Sequence, residues 1–264
     1  MKKTIVTLLS LIGVMGAASA SNYSVYTATA APGSTPDGQD QNSNPVNVWS
    51  VTTTLGGTNG TGDNGADGAG VYLGSPGGGE FSGWQAYSYQ NDGTARSGSV
   101  NAVNTFAGGA LAIGQSVSIN FEMRATDPAA NGLPAGQVGV SLLNGSGDAI
   151  LFYIYGGGPG NYFYTDAGSV GASAGAMGYQ YQTPFNIDFT VTGADTYSAV
   201  AGSDHWSGTF SGSLTGIDVF NDAGGNGSDV GFNNLSVVPE PSSLAMLAGA
   251  GVAILGYRRA SRKA

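Results

Sequence analysis

The sequence predicts an all-β fold, a two-sheet antiparallel jelly-roll sandwich flanked by an N-terminal signal-peptide helix and a C-terminal hydrophobic helix. Three observations lead there. Apolar residues recur with period two between turn clusters. Glycine supplies 46 of 264 residues without a G-X-Y period, which points to many turns rather than to collagen. No comparable helical period occurs outside the two ends. A solenoid of glycine-rich strands would need a fixed repeat, and none is present.

Residues 1–20 read as a signal peptide. Lys2 and Lys3 precede an apolar run from Ile5 to Val14, and Ala18-Ser19-Ala20 forms an A-x-A cleavage site. Signal peptidase is expected to leave a mature chain starting at Ser21. Residues 21–46 are polar, are broken by Pro32, Pro36 and Pro45, and form an exposed lead-in.

The ectodomain is expected over 47–237. "SVSINFEMR" places Val117, Ile119, Phe121 and Met123 on one face and Ser118, Asn120, Glu122 and Arg124 on the other. "FNIDFTVT" repeats this with Phe185, Ile187, Phe189 and Val191 inward. "AILFYIYGG" is apolar on both faces and reads as a central strand. Further strands are expected in "VNVWSVTTT", "FSGWQAYSYQ", "VNAVNTF", "GQVGVSLL", "NYFYT", "TYSAVA", "HWSGTF", "GIDVF" and "VGFNNLSVV". Turn signals such as "NGSGD", "GGGPGN", "TGAD" and "DAGGNGSD" separate them. About a dozen short antiparallel strands in one domain make a sandwich.

Charge narrows the partners. Of eight bases only Arg96 and Arg124 lie between Ser21 and Val238, against 16 of the 17 acids, so the balance there is 2 − 16 = −14. Such a surface repels nucleic acid, whose recognition needs clustered Lys and Arg. With no cysteine, stability must come from the core, from bound ions, or from both.

Residues 238–264 form the last unit. Val238-Pro239-Glu240-Pro241 precede an apolar segment over 242–257 and a basic tail over 258–264 that starts with Arg258 and Arg259. The segment from Leu244 to Gly256 is apolar all round, as in lipid, yet as a helix it spans only about 20 Å. With its flanks it just crosses the inner membrane, the bases staying cytoplasmic. These three parts, in this order, resemble the PEP-CTERM sorting signal of Gram-negative bacteria. The resemblance implies that an exosortase recognises Pro239-Glu240-Pro241, cleaves near it, and releases a transiently anchored body to the cell surface or exopolysaccharide matrix. The two prolines hold Glu240 extended and accessible just outside the membrane. The body, through stretches such as "VGVSLLNGSGDAILFYIYGGG" and "SDVGFNNLSVVPEP", is similar to β-sandwich ectodomains of such proteins and to concanavalin-like and laminin-G-like jelly rolls. That resemblance implies fold and, loosely, sugar or matrix binding.

No catalytic constellation is expected. His205 is the sole histidine and lacks a G-x-S-x-G partner. Glu122 has Arg124 where a second acid would sit, and Asp188 could neighbour it only if their strands pair. Two oxygen-rich loops are candidates for calcium, one with Asp63 and Asp67, the other with Asp222 and Asp229; no other cofactor is expected. Trp49, Trp84, Trp206, Tyr153 and Tyr155 are candidate platforms for sugar rings. The expectation is therefore a surface or matrix protein with a non-enzymatic structural or adhesive role. The alternatives are a calcium-assisted carbohydrate-binding module and a laminarinase-like glycoside hydrolase.

Overall fold

A computed structural model describes residues 49–53, 68–73, 84–89, 98–106, 108–125, 136–156, 160–180, 183–223 and 228–238. Among the described residues fourteen strands form two antiparallel sheets packed as a jelly-roll sandwich. Sheet I has the order β1(Trp49–Thr53), β4(Gly98–Thr105), β13(Gly216–Ala223), β6(Gln137–Asn144), β7(Gly147–Tyr155), β8(Asn161–Thr165), β9(Ala172–Gly178). Sheet II has the order β12(Asp204–Thr209), β11(Thr196–Ala201), β10(Phe185–Gly193), β5(Ser116–Ala125), β14(Ser228–Val238), β3(Trp84–Tyr89), β2(Gly68–Leu73). Among the described residues no helix is long and apolar enough to cross a membrane. The signal peptide, the lead-in and the tail from Pro239 onward lie outside the described residues.

The period-two pattern builds the core directly. Val117, Ile119, Phe121 and Met123 of β5 and Ile187, Phe189 and Val191 of β10 are buried against Val138, Val140, Leu142, Ile150, Phe152, Ile217 and Val219 of sheet I. Removing each such side chain from water contributes about 1.5–3 kcal/mol. β5 and β10 pair with Phe121 opposite Phe185 and Val117 opposite Phe189, so both apolar sets share one face. Asn120 and Asn186 then lie side by side on the other, joined by a 2.7 Å hydrogen bond.

Two strands escape the sequence pattern. β9, "ASAGAMG", is built mostly of glycine and alanine, and β2, "GAGVYL", is half so; neither shows an alternation of large apolar residues. Of the stretch "NDAGGNGSD" expected as a calcium loop, Asn221 to Ala223 end β13 and Ser228 and Asp229 begin β14, and residues 224–227 lie outside the described residues. Asp222 lies in β13 of sheet I, opposite Gln137 and Ser99. Asp229 lies in β14 of sheet II. Only residues 224–227 separate the two strands.

The sandwich is fastened where the edge strands β9 and β12 meet. Asp204 of β12 accepts a 2.8 Å hydrogen bond from the Met177 amide of β9. After β8, Asp166 accepts from the Tyr197 hydroxyl (2.9 Å), the Thr209 amide (3.3 Å) and the Gly168 amide (2.8 Å). The Trp206 indole donates to the Tyr197 oxygen at 3.2 Å. The carboxylate of Asp166 thus ties a sheet I loop to two strands of sheet II.

Candidate functional site

The outer face of sheet I departs from the solvated pattern of sheet II. Strand pairing sets Phe220 of β13, Gly139 of β6, Tyr153 of β7 and Phe163 of β8 side by side in one row across the sheet. Next to it run Asp218, Ser141 and Leu151, and on the other side Asp222, Gln137 and Tyr155. The Phe163 ring stacks on Tyr155 at 5.1 Å and lies 6.1 Å from Tyr153. All three rings are half-buried. At Gly139 a side chain would overlap the Phe152 carbonyl oxygen and come within 2.9 Å of Phe220 Cζ. Glycine there lets the Phe220 ring lie down over the strand as the floor of the row.

Acids border this row. Asp218 is 6% exposed, and its Oδ1 atom has no hydrogen-bond partner. Burial, then the charges of Asp148 and Asp222, push its carboxyl up to about 7, partly offset by a backbone hydrogen bond at Ala102. Asp222 is raised as well, first by burial and then by Asp148. Asp148 is exposed and accepts a short hydrogen bond from the Ser141 hydroxyl. Beside it opens a pocket of about 140 Å³ lined by Asp148, Leu151, Thr165, Asp166 and Ser211. A buried carboxyl that holds its proton near neutrality, beside ionisable neighbours, is the arrangement that acid–base chemistry uses.

The sequence-predicted residues separate into groups. Tyr153 and Tyr155 stand on this outer face, as a platform requires. Trp49 does not: it is 1% exposed and packs on Phe232 with ring centroids 5.1 Å apart. Trp206 is half-buried with its ring stacked on Phe152 (5.2 Å) and Tyr164 (5.6 Å), and its N–H is committed to Tyr197, so it closes the core edge instead of offering a free face. Trp84 lies in β3, its side chain outside the described residues, as are Asp63, Asp67, Pro239, Glu240, Pro241, Arg258, Arg259 and the cleavage site at Ala18, Ala20 and Ser21. Val238 ends β14.

Among the described residues no group of three or more His, Cys, Asp or Glu side chains could hold a metal ion. Glu122 and Asp188 do sit on pairing strands, but Asp188 is opposite Ser118, four residues from Glu122, or about 13 Å along the strand. A glycosidase pair needs about 5–9.5 Å. His205 is exposed on β12, opposite Val200. The residues that reasoning from sequence missed are Asp218, Asp148, Phe163, Phe220 and Gly139. Their signals are an acid inside the apolar run "GIDVF" and a glycine inside "QVGVS".

No family model matches the sequence, and no curated protein matches it. Solved structures do. A protein of unknown function from Shewanella oneidensis MR-1 is 15% identical over 89% of this chain and 93% of its own, with a TM-score of 0.49. An alginate lyase from Klebsiella pneumoniae is 9% identical over 68% of this chain and 86% of its own, with a TM-score of 0.43. An alginate lyase from Corynebacterium sp. is 15% identical over 59% and 76%, with a TM-score of 0.40. The expectation of a non-enzymatic structural or adhesive role is corrected here, because the solved structures that match include many enzymes that cleave a polysaccharide.

Proposed function

We propose that the protein is a polysaccharide-degrading enzyme whose working surface is the outer face of sheet I. The observation that carries this reading is the row of aromatic rings bordered by an enclosed carboxyl with an unsatisfied oxygen. Tyr153, Tyr155 and Phe163 offer ring faces to sugar, and the enclosed Asp218 Oδ1, which has no hydrogen-bond partner, is the atom proposed to hold the proton that the reaction moves. Burial first, and then the negative charges of Asp148 and Asp222, keep the proton on Asp218 near neutrality. Glu122, on the other sheet, takes no part. The test is release of new chain ends from a panel of soluble polysaccharides. Asp218→Asn is expected to lower the rate about a hundredfold or more, the usual contribution of a positioned acid or base. A wild type inactive on every polysaccharide would end the proposal.

The location read from the chain ends, export followed by exosortase processing toward the cell surface, is proposed with it. It is supported by the residue order at Lys2 to Ala20 and at Val238 to Arg259. Replacing Pro239, Glu240 and Pro241 with alanine is expected to leave a membrane-retained chain whose intact mass still includes Arg258 to Ala264. Unaltered release would refute it.

A further inference from the structure

We infer that the pocket at the end of β7 and β8 receives the end of a polysaccharide, one sugar ring deep, and that the chain runs back from it along a ridge of Leu151, Tyr153, Phe163 and Tyr155. This rests on the proposed role of the face and names the part of the polymer it takes.

The ridge follows from the pairing. Tyr155, Tyr153 and Leu151 alternate along β7 on the outer side of sheet I, and on β8 Phe163 stands opposite Tyr153 and Thr165 opposite Leu151. All five side chains are half-buried, so each keeps part of its surface in solvent. From Tyr155 to Leu151 the ridge is about 13 Å long. Beyond Leu151 and Thr165 it ends in the pocket of about 140 Å³, whose wall also holds Asp148, Asp166 and Ser211.

The walls are set before any ligand arrives. Buried Ser141 donates its hydroxyl to Asp148, an exposed carboxylate that would otherwise turn freely in water. Asp166 is 9% exposed and is held by the Tyr197 hydroxyl and by the amides of Gly168 and Thr209. The Asn144 side chain, at the end of β6, donates to the Ser211 carbonyl at 2.7 Å, and the Ala167 amide donates to the Thr209 carbonyl at 3.1 Å. Side chains fixed in this way lose little freedom on binding.

Size and chemistry set the occupant. A cavity of about 150 Å³ takes one benzene ring, so this pocket has room for one six-membered ring and not for two. A polymer must therefore enter it by an end. The hydroxyls of a terminal sugar donate to Asp148 and Asp166 in charge-assisted bonds, roughly twice as strong as neutral ones. Thr165 and Ser211 can donate or accept, and Leu151 meets the apolar face of the ring.

The experiment is calorimetric titration of the full-length protein with hexasaccharides cut from laminarin, xylan, dextran and alginate, and with each parent polymer at equal sugar mass. At least one hexasaccharide is expected to bind, and to exceed its parent polymer in proportion to its greater number of chain ends. Ser211→Trp, which fills the pocket, and Tyr153→Ala, which removes a ring of the ridge, are each expected to weaken that binding about tenfold or more. Hexasaccharide and polymer equal by mass, with Ser211→Trp binding as tightly as the wild type, would overturn the end site while leaving the face as the working surface. Loss in Ser211→Trp with Tyr153→Ala unchanged would overturn the ridge, and the proposed face with it. No binding of any sugar would overturn both. Circular dichroism of each variant separates lost binding from lost fold.

Discussion

Asp218→Asn is expected to make the protein more stable than the wild type at pH 8, by on the order of 4 kcal/mol. Asp218 carries its proton up to about pH 7 in the folded chain, against 3.8 for an ordinary aspartate. The folded state therefore binds more protons than the unfolded state between those values, and stability falls as pH rises through that window. Its contribution is fully present below about pH 4 and gone above about pH 7. Asp222, raised by burial and by Asp148, adds to the same slope. Asparagine has no charge to bury, so the variant's stability should decline less steeply than the wild type's, the remaining slope coming from Asp222. Urea midpoints measured from pH 4 to pH 8 check this; equal slopes in the two proteins would show that Asp218 ionises without strain. Paired with the loss of turnover expected from the same substitution, the outcome is a residue that costs stability and is kept for function.

Asp166→Ala is expected to cost about 4 kcal/mol. The Tyr197 hydroxyl and the amides of Thr209 and Gly168 all donate to its carboxylate, and Tyr197 is 1% exposed. Stranding the buried Tyr197 hydroxyl costs about 1–3 kcal/mol, and losing the bonds from Thr209 and Gly168, both exposed residues, adds roughly 1 kcal/mol. The loss should appear as a lower urea midpoint at an unchanged slope, with a shift in tryptophan fluorescence because Trp206 donates to the same Tyr197 oxygen. Gly208→Ala should act in the same direction, since a methyl there would overlap Asp166 Oδ2 and press to 2.9 Å from the Tyr197 ring. A wild-type midpoint in Asp166→Ala would mean that the two sheets do not depend on this fastening.

Much of the architecture is legible in the chain before any coordinates. Strands such as β5 and β10 announce themselves because one face is water and the other is core, and a strict alternation is the only pattern that satisfies both. β7 announces itself differently. "AILFYIY" is apolar on both sides, which marks it as interior to its sheet, and it does lie between β6 and β8. What that pattern does not reveal is that Leu151, Tyr153 and Tyr155 form part of an outward aromatic row.

The rest depends on residues far apart in sequence. Phe220 matters because Gly139, about 80 residues earlier, leaves room for its ring. Asp218 differs from an ordinary strand aspartate first through its burial and then through Asp148 and Asp222 nearby in space. Trp206 looks like a sugar platform until Phe152 and Tyr164 are seen against its ring. β9 carries too little side chain to show a face, and the large residues of β2, Val71 to Leu73, are consecutive and so mark neither face.

Val238, the last residue of β14, pairs with Ser116, and β14 is held on both sides, by β5 and β3. Any tension on the segment that follows enters the fold along the axis of an interior strand. Ladder hydrogen bonds lie across that axis, so the pull loads them together in shear rather than opening them one after another. A domain tethered in this way resists being drawn apart by flow or by a membrane anchor. The same force applied through β1, at the edge of sheet I, would unzip it bond by bond.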